Sequence, residues 1–114
     1  ALYTSSATLN SATTSLLTSS PTNEVTSANY SAGGGALVNA PTSLTAGVAR
    51  VDFADRSFTN VTITARGALI YDTSFSNAAV AVLDFGADKT ATSVVFTIQF
   101  PANTSTAAIL RISG

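Results

Sequence analysis

From Val48 to the end of the chain, apolar and polar residues alternate with a period of two, the signature of half-buried β-strands. In Val48–Phe53, residues Ala49, Val51 and Phe53 share one face, and Arg50 and Asp52 share the other. In Val61–Tyr71, residues Val61, Ile63, Ala65, Leu69 and Tyr71 line one side, with Thr62, Thr64 and Arg66 opposite. Val94–Phe100 sets Val94, Phe96, Ile98 and Phe100 against Val95, Thr97 and Gln99. The final strand, Ala108–Ile112, is expected to point Leu110 and Ile112 inward and Arg111 outward. β-Branched and aromatic residues dominate these runs, as pleated, half-buried surfaces favour.

Two places depart from simple alternation. Ala78–Phe85 is apolar on both faces, so it is either a central strand with both faces covered or a subunit contact, and the central position is favoured. Gly67, inside an otherwise regular strand, marks a bulge or a close backbone approach. Its neighbour Arg66 is expected to pair with Asp52 or Asp84 if it is covered.

The separators carry turn chemistry: Asp55-Arg56-Ser57, Asp72 to Asn77, Gly86-Ala87-Asp88-Lys89, and Pro101-Ala102-Asn103. Such short connections predict neighbouring antiparallel strands in a meander. The fold class expected is all-β, an antiparallel β-sandwich or partly closed barrel with an irregular Ser/Thr-rich N-terminal segment. A chain of 114 residues predicts a single domain, dividing near Gly47 into an N-terminal arm with short strands (1–47) and a β-meander core (48–114).

The first 47 residues are rich in Ser, Thr, Ala and Asn, and Glu24 is their only ionisable side chain besides tyrosines. Ala1-Leu2-Tyr3-Thr4 reads as the tail of a strand, so the chain is expected to begin inside an element, and the lack of an initiator Met agrees with a trimmed start. Ser11 to Leu17 fits either a short helical turn or an irregular arm, closed by Pro21. Gly33-Gly34-Gly35 reads as a flexible joint ahead of a short strand, Ala36-Leu37-Val38.

Composition changes the picture by what it removes. There is no Cys, His, Met or Trp, and charged residues make up only 10% against a usual ~25%. Solubility must rest on hydroxyls, since Ser and Thr are roughly 30% of the chain. A net charge of −1 gives little repulsion between copies, which favours association. Arg50, Arg56, Arg66, Lys89 and Arg111 are scattered among six acids, so no basic stripe exists for nucleic acid. The longest apolar run, Ala78 to Leu83, is far short of the ~20 residues a membrane-spanning helix requires.

Candidate chemistry is sparse. Serines abound, but no His stands by to activate one, and the single Lys89 sits in a predicted turn. Asp52 with Asp55, or Asp84 with Asp88, could form a carboxylate pair for glycoside hydrolysis, although turn capping explains these acids more simply. Asp84 to Asp88 lacks the oxygen density of a calcium loop. Gly33–Gly35 has no following GK[ST] and is no phosphate cradle. Asn29, Asn60 and Asn103 begin glycosylation sequons that a Ser/Thr-rich chain acquires by chance. The reading is of a non-enzymatic chain with no catalytic, cofactor-binding or metal-ligating residues.

The strings Ile63-Thr64-Ala65-Arg66-Gly67-Ala68-Leu69-Ile70-Tyr71, Ala79 to Thr90 (AVAVLDFGADKT) and Phe96-Thr97-Ile98-Gln99-Phe100-Pro101 resemble a family of small virion structural proteins of tailed bacteriophages. Ala1 to Leu9 and Glu24 to Gly34 resemble that family's opening strand and Gly-rich segment. Family members usually carry a short stretch before the Ala-Leu-Tyr strand, which agrees with a trimmed start. The resemblance implies a many-copy, homo-oligomeric component of the virion, with the major capsid protein and neighbouring copies as partners. The role expected is a capsid decoration, or cement, protein on the outer head shell, with residues 1–47 reaching across to capsid or a neighbouring copy. The alternative is a tail, neck or fibre module contacting host glycans through Tyr30, Tyr71 and Phe75 near Asp72 and Asn77.

Overall fold

The computed structural model describes residues 1–16, 23–104 and 106–113. The described elements are all strands: β1 (Leu2–Tyr3), β2 (Asn39–Thr45), β3 (Val48–Phe53), β4 (Arg56–Asp72), β5 (Ala78–Ile98) and β6 (Leu110–Ser113). They form two antiparallel sheets, β1-β4-β5 and β2-β3-β6, neither closed into a barrel. The all-β antiparallel class is as expected. The chain order within the sheets is not a meander, because β3 passes to β4 and β5 to β6 by changing sheet.

The chain groups into two compact units. One compact unit comprises Ala1–Gly35 and Phe58–Phe96, and the second comprises Ala36–Ser57 and the chain from Thr97 onward. Gly47 is the second residue of a tight hairpin turn. Ala46 (φ 51°) and Gly47 (φ 77°) are both left-handed between the paired residues Thr45 and Val48, the geometry of a two-residue hairpin matched to strand twist.

The first unit is built on the long β4–β5 hairpin, turned through Thr73–Asn77 as expected. On β4, Val61, Ile63, Ala65 and Leu69 are buried in the predicted alternation. Asn60, at φ 50°, inserts one residue that brings Phe58 onto the same buried side three positions earlier. From Gly67 to Ile70 both faces of β4 are buried, so the doubly covered strand segment lies here.

It does not lie in Ala78–Phe85, which belongs to an edge strand with Val80 about half exposed. Predicted strands 78–85 and 94–100 merge into one continuous β5, which ends at Ile98. The Gly86 segment that reads as a turn is a local kink: Gly86 sits at φ 74° with its N–H donating to Asp84 Oδ1 at 2.8 Å.

Gly67 is a close approach. A Cβ there would stand 2.6 Å from the Leu83 carbonyl oxygen, and the backbone of β1 pairs on the other side through Tyr3. The N-terminal residues are not a detached arm. Leu2 and Tyr3 are among the most buried side chains, and β1 registers against Ala68 and Gly67. Of the ambiguous segment, Ser11 to Leu16 forms turns with no helix, and Leu17 and Pro21 lie outside the described residues.

The Gly-rich segment is pinned rather than jointed. Gly33 donates to Glu24 Oε1 (2.7 Å) and accepts from the Tyr71 hydroxyl (2.6 Å). Gly34 (φ 82°) leaves no room for a Cβ against the Ala1 backbone, 2.8 Å away. Ala36–Val38 forms no strand; β2 begins at Asn39.

Candidate assembly surface

In the second unit, β3 is the central strand, flanked by β2 and β6. Registration is direct: Leu44 pairs with Ala49, and Ala49 with Ile112, so the three stand side by side across the sheet. Leu44 is 72% exposed and Ile112 77%, with Ala49 also exposed between them. One step along, Val51 pairs with Leu110, which is 39% exposed. Alternation along β3 carries Phe53 to the same side, where its ring meets Phe100 at 5.5 Å between centroids. The sheet therefore has an apolar face, covered at its Phe53 end and bare at its turn end.

The opposite positions of β3 hold the polar groups. Asp52 is fully buried; Oδ1 accepts from the Phe53 N–H at 2.8 Å, and Oδ2 has no hydrogen-bond partner among the described residues. Arg50 is half-buried, its Nε donating to Asn103 Oδ1 (3.1 Å) and Nη1 to Thr45 Oγ1 (2.9 Å). Asn103 donates in turn to the Pro41 carbonyl oxygen. On β3 Asp52 is inside and Ala49 outside, and on β6 the expected inward facing of Ile112 is inverted. Alternation fixes which residues share a face but not which face is covered.

The six carboxylates are all engaged in structural hydrogen bonds. Glu24 accepts from the Tyr30 hydroxyl (2.8 Å) and from Gly33, while the Tyr30 oxygen accepts from the Leu2 N–H (2.8 Å). Burial, with the neighbouring carboxylate, pushes the Tyr30 phenol well above its ordinary range, and the bond from Leu2 opposes this. Asp55 accepts from the Phe100 N–H and Asp84 from the Gly86 N–H two residues on. Asp72 accepts from the hydroxyl and amide of Ser74, which holds its carboxyl below the usual range. Arg66 pairs with Asp88 at 3.2 Å on the exposed face, rather than with Asp52 or Asp84.

Among the described residues no three His, Cys, Asp or Glu side chains come together as a metal site, and no helix is long and apolar enough to cross a membrane. An open depression of about 240 Å³ near the N-terminus is lined by Thr8, Asn10, Ala12, Thr13, Thr14 and Ser15, with no ionisable group.

The aromatic set considered for glycans does not form a platform. Tyr30 is buried against Phe58, with ring centroids 5.3 Å apart, and the Tyr71 hydroxyl is spent on Gly33, leaving Phe75 alone exposed at 74%. Reading the residues missed the bare stripe because Leu44 lies in a Ser/Thr-rich stretch with no clear period. Sheet register is what unites it with Ala49 and Ile112. The chain matches no protein-family model, no curated protein and no solved structure.

Proposed function

We propose that this chain is a structural subunit of a tailed-bacteriophage particle, a decoration or cement protein that binds the outer head shell and stabilises it. One observation carries the reading: a sheet whose uncharged apolar stripe, Leu44–Ala49–Ile112, stands in solvent when the chain is alone. Apolar faces of this kind are characteristic of chains that complete their packing by assembling. The resemblance of the 63–71, 79–90 and 96–101 strings to small virion proteins supplies the kind of assembly. Modest contacts suffice in that setting, because a symmetric shell multiplies them through effective concentration. The attachment does not use a free N-terminal arm, since Leu2 and Tyr3 are core residues.

Quantitative gels of purified particles test the reading, with hundreds of copies expected. A handful to dozens would transfer the chain to the tail, neck or fibre. Purified protein added to bare shells should raise their melting temperature; no rise would remove the cementing role.

A further inference from the structure

We infer that the bare end of the β2-β3-β6 sheet is covered by the same face of a second copy of this chain, giving a twofold dimer. The inference needs only the geometry of the sheet and stands whether or not the chain belongs to a virion.

Three features select a second copy. First, the stripe is large–small–large, with Ala49 between Leu44 and Ile112 on adjacent strands. A twofold axis parallel to β3, lying above Ala49 midway between the two facing sheets, sets Leu44 of each copy opposite Ile112 of the other, with the two alanines facing across the axis. The face is its own complement, as an isologous contact requires. Facing sheets stack about 10 Å apart, a gap that interdigitating aliphatic side chains fill.

Second, the stripe carries no charge, Arg50 and Asp52 occupy the alternate positions of β3, and the chain's net charge is −1. Two copies approach without repulsion and leave no buried ion unpaired. Third, the exposed parts of Leu44, Ala49, Val51, Leu110 and Ile112 amount to on the order of 400 Å² per copy. The pair would bury about 800 Å² in all, a little below the ~1,000 Å² that a stable specific interface clears. The dimer is accordingly a reversible one that forms at elevated concentration and is reinforced when copies are held side by side.

Sheet edges offer a less complete route to association on this unit. β2, at one edge, contains Pro41 and a register shift between Ala40 and Ser43, both of which blunt edge-to-edge pairing.

Sedimentation equilibrium of the purified chain from about 10 μM to 1 mM is the test, a range chosen to bracket weak association. The expected result is a monomer–dimer equilibrium that Ala49→Glu weakens at least ~10-fold, with the β-sheet circular dichroism and thermal midpoint of the dilute protein unchanged. Ala49 is exposed in the single chain, so the substitution does not touch its core.

The lack of native cysteine permits a second readout. Ala49→Cys should be captured as a covalent dimer by a short bismaleimide, whereas Thr92→Cys, exposed on β5, should not. A wild-type chain that stays monomeric at 1 mM, a dimer that Ala49→Glu leaves intact, or equal capture at both cysteines would each overturn the inference. Particle copy number bears on the virion reading alone, so the two fail separately.

Discussion

The two units carry the same period-two alternation and use it in opposite ways. Among the described residues every buried hydrophobic side chain except Ala108 lies in the first unit, where the β4–β5 hairpin is flanked by β1 and the 23–35 segment. The second unit buries Ala108 and a carboxylate, Asp52, and leaves Leu44 and Ile112 in solvent. The first encloses a core within the chain, although Phe75, Val80, Val94 and Val95 stay exposed at its surface. The second leaves the Leu44–Ala49–Ile112 side of its sheet uncovered in the single chain. An amphipathic strand is a statement about pairs of surfaces, and only one member of the pair is encoded locally.

The sharpest way to break this contrast is to truncate one leucine in each unit. Leu69→Ala should lower the unfolding free energy by about 2–5 kcal/mol, while Leu44→Ala should change the monomer by under ~0.5 kcal/mol. Urea titrations at low protein concentration would show it, and comparable losses would erase the distinction. Next, Gly67→Ala forces a methyl against the Leu83 carbonyl. A loss of about 1–3 kcal/mol is expected, with accelerated amide exchange at Leu2 and Tyr3.

Tyr30→Phe should cost about 1–3 kcal/mol, because the Leu2 N–H and the Glu24 carboxylate both lose a partner. Its pH signature has a definite sign. The folded-state pKa is raised above the ordinary value of 10.0, so the phenol's contribution is complete below pH 10 and declines as pH climbs above it. Denaturation midpoints followed from pH 8 to 12 should fall less steeply in the variant; parallel curves would remove Tyr30 as the cause.

In the second unit, Asp52→Asn replaces a buried carboxyl whose Oδ2 has no hydrogen-bond partner among the described residues, while keeping an acceptor for the Phe53 N–H. The change should be neutral or stabilising by about 1 kcal/mol. Slower exchange of the β3 amides would register it, and clear destabilisation would mean the carboxyl group is required. Smallest of all, Ala46→Asn places a residue tolerant of left-handed backbone in a turn where Ala46 holds φ 51°. A gain of about 0.5 kcal/mol in thermal unfolding is expected.

Much of the first unit was legible in the residues themselves. The buried alternation of Val61, Ile63, Ala65 and Leu69, the hairpin turn after Asp72, and the tight spot at Gly67 all follow from local pattern. Less legible was the continuity of β5, because Gly-Ala-Asp-Lys satisfies turn chemistry whether the chain reverses or merely kinks. The N-terminal segment was misread for a related reason. Its polar residues are structural: Ser27 Oγ accepts from the Thr62 N–H, and Asn29 Nδ2 donates to the Asn60 carbonyl oxygen, side chains standing in for a neighbouring strand. Nothing in a run of Ser, Thr and Asn distinguishes that employment from solvation. The candidate surface was the least legible part, since Leu44 and Ile112 lie far apart in the chain and only pairing with β3 makes them adjacent.

The placement of β6 has a kinetic corollary. Val51 and Leu110, about sixty residues apart, become neighbours only after the intervening chain has collapsed, and such distant pairings form late. The Ser57–Thr97 hydroxyl contact closes the mouth of the β4–β5 hairpin and brings the two halves of the second unit into range. The Leu44–Ala49–Ile112 stripe is therefore complete only once β6 has docked on β3, after the hairpin's mouth has closed.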